Sequence, residues 1–264
     1  MASNQFSARH QERLSEILKR SPTRKTVSML VDLVKDGKFS ERSLLVRYSI
    51  VRSLLKKHTT DQKLLDMLLP PRDLSNRINK ENHDRRDQAK RVTVHRAFIE
   101  KVLAFQHSDN LYDLCMVLLL ITGRRTIEVL TAKIYAKGSA NVLYIDGVVK
   151  RSDDGRCKFP PLWSKAKTLK LLQKFRQKLK DKYGPSFNRA TFRRNLLSRI
   201  RSKLDAEAHP HMFRGIYANY LYKFRNQDQK KINTFLMDVL CHETVSTSMS
   251  YTGYDLQVDS DFIR

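Results

Sequence analysis

Apolar residues recur every three or four positions through the first part of the chain, which is the spacing of one buried face of an α-helix. The pattern predicts four helices. The first runs from about Ala8 to Lys19, and the second begins at Ser21-Pro22 and ends at Gly37. The third is capped by Ser40, and the fourth stops at Pro70-Pro71. Short amphipathic helices bury their apolar faces against one another, so residues 1–75 are expected to form a small helical domain.

Residues 76–91, with the sequence NRINKENHDRRDQAKR, are polar and show no apolar face. This composition predicts a linker between two domains, although a solvated helix would have a similar composition. We therefore expect the first domain to end at residue 75 and a second domain to occupy residues 92–264.

The second domain combines helical spacing with one short β-type segment. Helical spacing begins near Phe98, and a more apolar helix runs from Leu111 to Ile121. β-Branched and aromatic residues then occupy positions 142–145 and resume at 148–150 after the bend at Asp146-Gly147, which is typical of a β-hairpin. Helical spacing returns over 164–183, 192–200, 212–224 and 231–240. The expected fold is mainly α with a small antiparallel β-sheet, an α+β class.

The chain is strongly basic, with 51 Lys and Arg against 27 Asp and Glu, a formal net charge of +24 and a pI near 10.1. The excess occurs both before and after residue 91, so a single polyanion that touches both domains is a simpler explanation than a basic tail. Duplex DNA is the densest such polyanion, and neutralising its phosphates supplies most non-specific affinity. RNA and membrane surfaces are also polyanions, so charge alone does not choose among them.

Cys115, Cys157 and Cys241 are far apart in the sequence and form no CxxC pair. An odd count without metal-ligand spacing argues against a disulfide framework and a zinc site, and fits a reducing compartment. The N-terminal residues lack the apolar core of a signal peptide, and the longest apolar run, 114–122, is too short to span a bilayer. We expect an intracellular protein without a membrane partner, located with its DNA in a bacterium or, if viral, in the host cell.

Four short segments carry residue types that suit chemistry on a phosphate. Their functional candidates, in chain order, are Arg125, Glu128, Lys150, His211, Arg214, His242 and Tyr251. Each residue alone has an ordinary explanation, such as a structural ion pair or a core histidine. What distinguishes them is that they occur together, with His211 and Arg214 one helical turn apart and Tyr251 nine residues after His242.

In this order the segments resemble the tyrosine recombinase family. The family pattern reads Thr-Gly-x-Arg-x-x-Glu, a hairpin lysine, His-x-x-Arg, Leu-Gly-His, and a tyrosine nine residues after the last histidine. This chain matches each element except one, because Cys241 stands where the family has the glycine of Leu-Gly-His. The likeness covers residues 92–254, and residues 1–75 lie where the family has its helical core-binding domain.

The resemblance implies an enzyme that cuts and rejoins duplex DNA without a metal or another cofactor. Tyr251 is then the nucleophile, which attacks phosphorus and stays linked to the 3′ phosphate. Arg125 and Arg214 clamp the phosphate oxygens, and His242 donates a hydrogen bond to one of them. Glu128 orients these side chains without itself contacting the phosphate.

Two proton transfers are assigned in the same way. The hairpin lysine, Lys150, protonates the departing 5′ oxygen, and His211 accepts the proton of the attacking tyrosine. Arg151 and Lys158 share the hairpin with Lys150, so either of them is an alternative donor.

Basic residues outside the matched motifs are candidates for contacts with DNA phosphates. They are Lys165 and Lys167 at the start of one predicted helix and Arg193 and Arg194 on another. Such residues are ordinarily a solvated helix face, and a phosphate contact is the functional alternative.

We expect a site-specific recombinase of the integrase type, whose two domains close as a C-shaped clamp around duplex DNA. It would act as a homo-oligomer, a dimer on one site and a tetramer when two sites are paired. A telomere resolvase, which forms hairpin DNA ends, is the alternative within the same chemistry, and the Thr-Gly-Arg-Arg opening is compatible with it. A type IB topoisomerase is a further relative, and a non-catalytic DNA-binding or packaging protein is the alternative from a different class.

Overall fold

A computed structural model describes residues 8–88, 91–147, 156–242, 244, 248 and 251–259. The chain divides into two compact units, Met1–Ala89 and Lys90–Arg264. Each unit has its own cluster of buried apolar side chains.

The described part of the first unit is helical. Its helices are α1 (Ala8–Leu18), α2 (Arg24–Lys35), α3 (Glu41–Leu55), α4 (Gln62–Asp66) and α5 (Arg72–Gln88). The predicted cap of α3 is confirmed, because the Ser40 hydroxyl accepts a hydrogen bond from the Ser43 amide at 3.3 Å. The predicted start of α2 at Ser21-Pro22 is two residues early, since Thr23 is the residue that caps this helix.

The interpretation of residues 76–91 as a linker is wrong for residues 76–88, which continue helix α5. Leu74 and Ile78, four residues apart, are both buried and give the helix a narrow apolar side. Arg77, on the same helix, binds Glu41 of α3 at 2.8 Å and Asp73 at 3.0 Å. Leu74 and Ile78 lie on either side of the predicted domain boundary at residue 75. The composition therefore placed that boundary inside the helix and separated its two buried apolar residues.

The second unit is built around one helix whose residues are all buried, α7 (Leu111–Thr122). The helices packed directly against it include α9 and α11, the longest helices described in this unit. The helices of this unit are α6 (Arg96–Ala104), α7, α8 (Thr126–Thr131), α9 (Lys165–Tyr183), α10 (Arg189–Lys203), α11 (Pro210–Arg225) and α12 (Ile232–Leu240). A helix as apolar as α7 can only be a core element, and its end therefore fixes where the residues after it lie.

Two small sheets complete this unit. Strands β2 (Lys133–Ala136), β3 (Leu143–Asp146) and β4 (Cys157–Phe159) form an antiparallel sheet in that order. The fold class, mainly α with a small antiparallel sheet, is confirmed, while the predicted strand 148–150 lies outside the described residues. Strands β1 (Val92–His95) and β5 (Tyr254–Gln257) form a parallel pair that the sequence did not predict. This pairing holds the segment that follows Tyr251.

A disulfide joins Cys157 of β4 to Cys241 at the end of α12, with their Cα atoms 6.2 Å apart. The expectation that the cysteines form no disulfide is therefore wrong. The two residues are 84 positions apart, so no spacing rule connects them, and only the packing of β4 against α12 brings them together. Cys115 is a free, buried thiol in α7.

No helix within the described residues has both the length and the apolar character needed to cross a membrane.

Gly123 ends α7 in the left-handed region, with φ +60°, and a Cβ atom there would overlap the ring of Tyr217. We expect Gly123→Ala to lower the free energy of unfolding by about 3 kcal/mol, from left-handed strain together with overpacking. Urea denaturation of the purified protein measures this change. Gly138→Ala is the matched control, because Gly138 has φ +72° but open space around it. A similar loss for both variants would contradict a role for the Tyr217 contact.

Candidate active site

Arg125 ends the turn between α7 and α8 and is half-buried, and Glu128 lies one turn further on, in α8. Glu128 is fully buried, and its carboxylate accepts the Arg125 amide at 2.9 Å and the Arg125 guanidinium at 2.7 Å. The same carboxylate thus caps the first turn of α8 and fixes the Arg125 side chain.

Arg214, on α11, is buried at the centre of the site. One of its terminal nitrogens donates to the carbonyl of Gly123 and lies 3.9 Å from Glu128. The other donates to the carbonyl of Leu240 at 2.6 Å and lies 3.0 Å from Nε2 of His242. Its Nε is buried and has no hydrogen-bond partner in the described part of the chain. An unsatisfied, charged donor of this kind marks a place for an anionic acceptor.

Tyr251 lies beside both histidines. Its hydroxyl is 3.4 Å from Nδ1 of His211, and its ring centre is 5.5 Å from that of His242. The guanidinium carbon of Arg214 is 5.7 Å from the same ring centre. Asn219 of α11 donates to the Tyr251 carbonyl at 2.5 Å and so anchors the backbone of the tyrosine to the helix that carries Arg214.

The charges in this site do not balance. Burial alone would raise the pKa of Glu128, but the guanidiniums of Arg124, Arg214 and Arg125 together lower it. Burial and the neighbouring Arg124 lower the pKa of Arg214 to about 9, so it is still charged at neutral pH. Three guanidiniums around one carboxylate leave an excess of positive charge that a phosphate group would neutralise.

Both histidines are neutral at physiological pH. Burial, followed by the charges of His209 and Arg214, lowers the pKa of His211. Burial, followed by Arg214, Arg125 and Arg124, lowers the pKa of His242 to about 3. A neutral His211 can accept a proton from the Tyr251 hydroxyl, which lies within reach of its Nδ1.

A family model described as the telomere resolvase ResT/TelK catalytic domain matches residues 88–254. The chain belongs to this family. It is a tyrosine recombinase-type enzyme of DNA cleavage and religation, in the telomere resolvase branch. The predicted resemblance to the tyrosine recombinase family is confirmed. The branch is that of the telomere resolvases, which were the alternative to the expected integrase-type recombinase.

Solved structures of two protelomerases share the fold of this resolvase-family chain. A TelA variant covalently complexed with substrate DNA has a TM-score of 0.74 at 17% identity, covering 96% of this chain and 90% of that one. A TelA variant complexed with a DNA hairpin product has the same TM-score at 16% identity, with the same coverages of 96% and 90%. TelK complexed with substrate DNA has a TM-score of 0.59 at 14% identity, covering 98% of this chain and 56% of TelK. A comparison with curated protein sequences finds no match.

The structure brings six of the seven predicted site residues of this resolvase-family chain into one place. They are Arg125, Glu128, His211, Arg214, His242 and Tyr251. The seventh, Lys150, and its alternative Arg151 lie outside the described residues. The other alternative, Lys158, is an exposed residue of β4. The choice of the hairpin lysine stays a prediction.

Arg124 also belongs to the candidate site, although no role was predicted for it. It is buried, and it donates to the carbonyl of Val239 at 2.5 Å and to the sulfur of Cys241 at 3.0 Å. Its guanidinium carbon also lies 4.4 Å from the ring centre of Phe159 on β4. Arg124 thus ties the end of α7 to α12 and to the hairpin sheet. Its position next to Arg125 was visible in the sequence, but its partners were not.

The four predicted DNA-binding residues differ in their contacts within the protein. Lys165 donates to the carbonyls of Gly138, Ser139 and Ala140 at 2.6–3.0 Å, which closes the loop between β2 and β3. The Lys167 ammonium lies 3.8 Å from the ring centre of Trp163. Arg193 and Arg194 are exposed on α10. Contacts of these four residues with DNA stay predictions.

Among the described residues, no group of three His, Cys, Asp or Glu side chains is arranged to hold a metal ion. A metal-independent and cofactor-free reaction stays a prediction from the resemblance.

The lowered pKa of His242 makes the stability of the protein depend on pH. The unfolded imidazole takes up a proton near pH 6.5, whereas the folded one does so only near pH 3, so stability is complete above pH 6.5 and falls with pH towards 3. We expect His242→Gln to lower the number of protons taken up on unfolding at pH 5 by about one. Urea midpoints measured from pH 5 to 8 test this, and the two proteins should show the same pH slope above pH 7.5. An unchanged slope at pH 5 would contradict the burial of a neutral His242.

Proposed function

We propose that this protein is a telomere resolvase that cleaves both strands of an inverted-repeat DNA and joins them into hairpin ends. The observation that carries the proposal is the convergence of Arg214, His211 and His242 on the Tyr251 side chain within a resolvase-family domain. The TelA structure with a hairpin product supports it through the shared fold. Strand exchange between two sites is the other outcome of the same chemistry.

The first step is an in-line attack on a phosphodiester. The Tyr251 oxygen forms a bond to phosphorus as the bond to the 5′ oxygen breaks, and the phenolic proton passes to Nδ1 of His211. Arg125 and Arg214 stabilise the charge that builds on the non-bridging oxygens. Lys150 supplies the proton to the departing 5′ oxygen in this proposal.

The second step reverses the first with a different acceptor. The 5′ hydroxyl from the opposite strand attacks the phosphotyrosine, the bond from phosphorus to Tyr251 breaks, and the two strands become one continuous hairpin. Lys150, left neutral by the first step, takes the proton of the attacking 5′ hydroxyl, and His211 returns its proton to the leaving phenolate, by microscopic reversibility. No energy source is needed, because the phosphotyrosine conserves the bond energy of the phosphodiester.

Duplex DNA is the partner that this function requires, and the basic character of the chain suits it. Each strand of an inverted repeat needs one tyrosine, so the proposed assembly is a homodimer on one site. A tetramer is needed only if two sites are paired for exchange. This function places the protein inside the cell with its DNA.

The experiment that tests the function uses a linear duplex with a candidate inverted repeat near its centre. We expect two products that are half the length of the substrate on a native gel. On a denaturing gel each product runs as a single strand of the full substrate length, because its new end is covalently closed. Recombinant products from two differently labelled duplexes would instead identify a site-specific recombinase. Relaxation of supercoiled DNA without a preferred site would identify a type IB topoisomerase activity.

A further inference from the structure

Ser248 is a buried residue that lies against the imidazole of His242. Its side chain is fully inaccessible to solvent, and its hydroxyl oxygen is 2.9 Å from Nδ1 of His242. Neither the sequence motifs nor the family model gives this serine a role. Nε2, on the other side of the same ring, is 3.0 Å from the Arg214 guanidinium, so both ring nitrogens of His242 are engaged.

The Arg214 contact shows where the imidazole carries its proton, and the Ser248 hydroxyl is compatible with that position. A guanidinium has only donors, so Nε2 of His242 must accept the hydrogen bond from Arg214. The imidazole is neutral, and its one proton therefore lies on Nδ1. Nδ1 donates this proton to the Ser248 hydroxyl, which is the acceptor on that side. The alternative tautomer would direct an N–H at the N–H of Arg214.

We propose that Ser248 is a positioning residue that holds His242 in the Nδ1–H tautomer and so keeps Nε2 as an acceptor that aims Arg214. The proposal rests on the proposed function for its effect on cleavage. It deepens that function by giving His242 in the DNA-free enzyme a different role from the one that the resemblance implies. In the DNA-free enzyme, Nε2 of His242 accepts a hydrogen bond from Arg214 and orients this phosphate-binding arginine, so Nε2 does not act as a donor.

The tautomer of His242 determines how the Arg214 guanidinium is held. One terminal nitrogen of Arg214 is directed by Nε2 of His242 and by the Leu240 carbonyl, and the other by the Gly123 carbonyl. If the ring adopted the other tautomer, one of these acceptors would become a donor and the guanidinium would turn away from its place. Hydrogen bonds that orient metal-binding histidines are typically worth about 10-fold or more in affinity or activity, and we expect an effect of about this size for His242.

The tautomer is read directly by NMR. Protein labelled with ¹⁵N at histidine gives separate ring-nitrogen shifts for protonated and unprotonated nitrogens, and His242→Gln identifies the His242 signals by their loss. At pH 7 and without DNA, we expect His242 to show a protonated Nδ1 and an unprotonated Nε2. In Ser248→Ala, we expect the signals to move towards the Nε2–H tautomer.

The same variant is then tested for cleavage. Ser248→Ala should form the covalent adduct with a nicked inverted-repeat substrate about 10-fold more slowly, with unchanged DNA affinity, and Ser248→Thr should regain part of the rate because it restores a hydroxyl. Ser202→Ala is the matched control, since Ser202 is exposed and its hydroxyl donates to the Arg199 carbonyl.

The NMR readout needs no DNA, so the two proposals can fail separately. The expected tautomer in a protein that makes no hairpins would overturn the proposed function and leave the role of Ser248 intact. A His242 with its proton on Nε2 in the unmodified protein would overturn the role of Ser248, whether or not hairpins form. So would a Ser248→Ala protein with an unchanged tautomer.

Discussion

Replacing Tyr251 by Phe should abolish covalent attachment of the protein to DNA and slow strand cleavage by about four orders of magnitude or more, while DNA binding persists. The change removes one oxygen atom. The packing of the Tyr251 ring near His242 and Arg214 is kept, so the buried site should hold its arrangement. What is lost is the atom that forms the bond to phosphorus.

Tyr254 provides the matched control, because it is also an aromatic residue close to this site. Its ring packs so tightly over Gly215 that a Cβ on that glycine would overlap it, and the residue begins strand β5. Burial, followed by the nearby Tyr251, raises the pKa of Tyr254, which makes its phenolate harder to form. Tyr254→Phe should therefore leave adduct formation close to that of the unmodified protein.

A nicked substrate makes the measurement sharp. When a nick lies just beyond the scissile bond, the fragment carrying the 5′ hydroxyl diffuses away and the covalent intermediate accumulates. Denaturing gels then measure the amount of protein–DNA adduct over time for each variant. An adduct formed by the Tyr251→Phe protein, or lost in the Tyr254→Phe protein, would show that another residue is the nucleophile.

The residues of the candidate site were predictable as a set, but their convergence was not a property of any one segment. His211 and Arg214 are one turn apart on a helix, so their proximity follows from helical geometry alone. Arg125 and Tyr251 are separated by most of the second unit, and nothing local places them together. Only the resemblance to a family with the same order of motifs predicted that they meet.

The features that the sequence did not predict all depend on contacts between distant segments. Strand β1 pairs with β5 across the whole second unit, and each strand has only four residues, too few to show an alternating pattern. Ser248 and Arg124 lie close in sequence to candidate site residues, but their importance comes from His242 and Cys241, which the fold places beside them. Local periodicity carries no information about such pairs.

The disulfide is the clearest case, and reducing it should have the second large effect. The cross-link between Cys157 and Cys241 closes a loop between residues 84 positions apart. In the chain-entropy model, a loop of this size lowers the entropy of the unfolded chain enough to stabilise the fold by roughly 4.5 kcal/mol. We expect a reductant to lower the free energy of unfolding of the second unit by about that amount.

Variants of two cysteines separate this effect from other actions of the reductant. Cys157→Ser should be as unstable without reductant as the unmodified protein is with it, and it should show no further response. Cys115→Ala keeps the cross-link, so its stability should still fall when reductant is added, whatever the change costs in the packing of α7. Urea denaturation of all three proteins, with and without reductant, measures these differences.

The position of the cross-link makes the comparison informative about the site as well. Cys241 holds the left-handed conformation, with φ 58°, at the place where the tyrosine recombinase pattern has glycine, and the side chain that replaces the glycine hydrogen reaches β4. Since His242 follows directly, loss of the tether frees both the end of α12 and the hairpin sheet. The entropic account of this link would be contradicted if reductant left the free energy of unfolding unchanged while alkylation showed both thiols blocked before reduction and free after it.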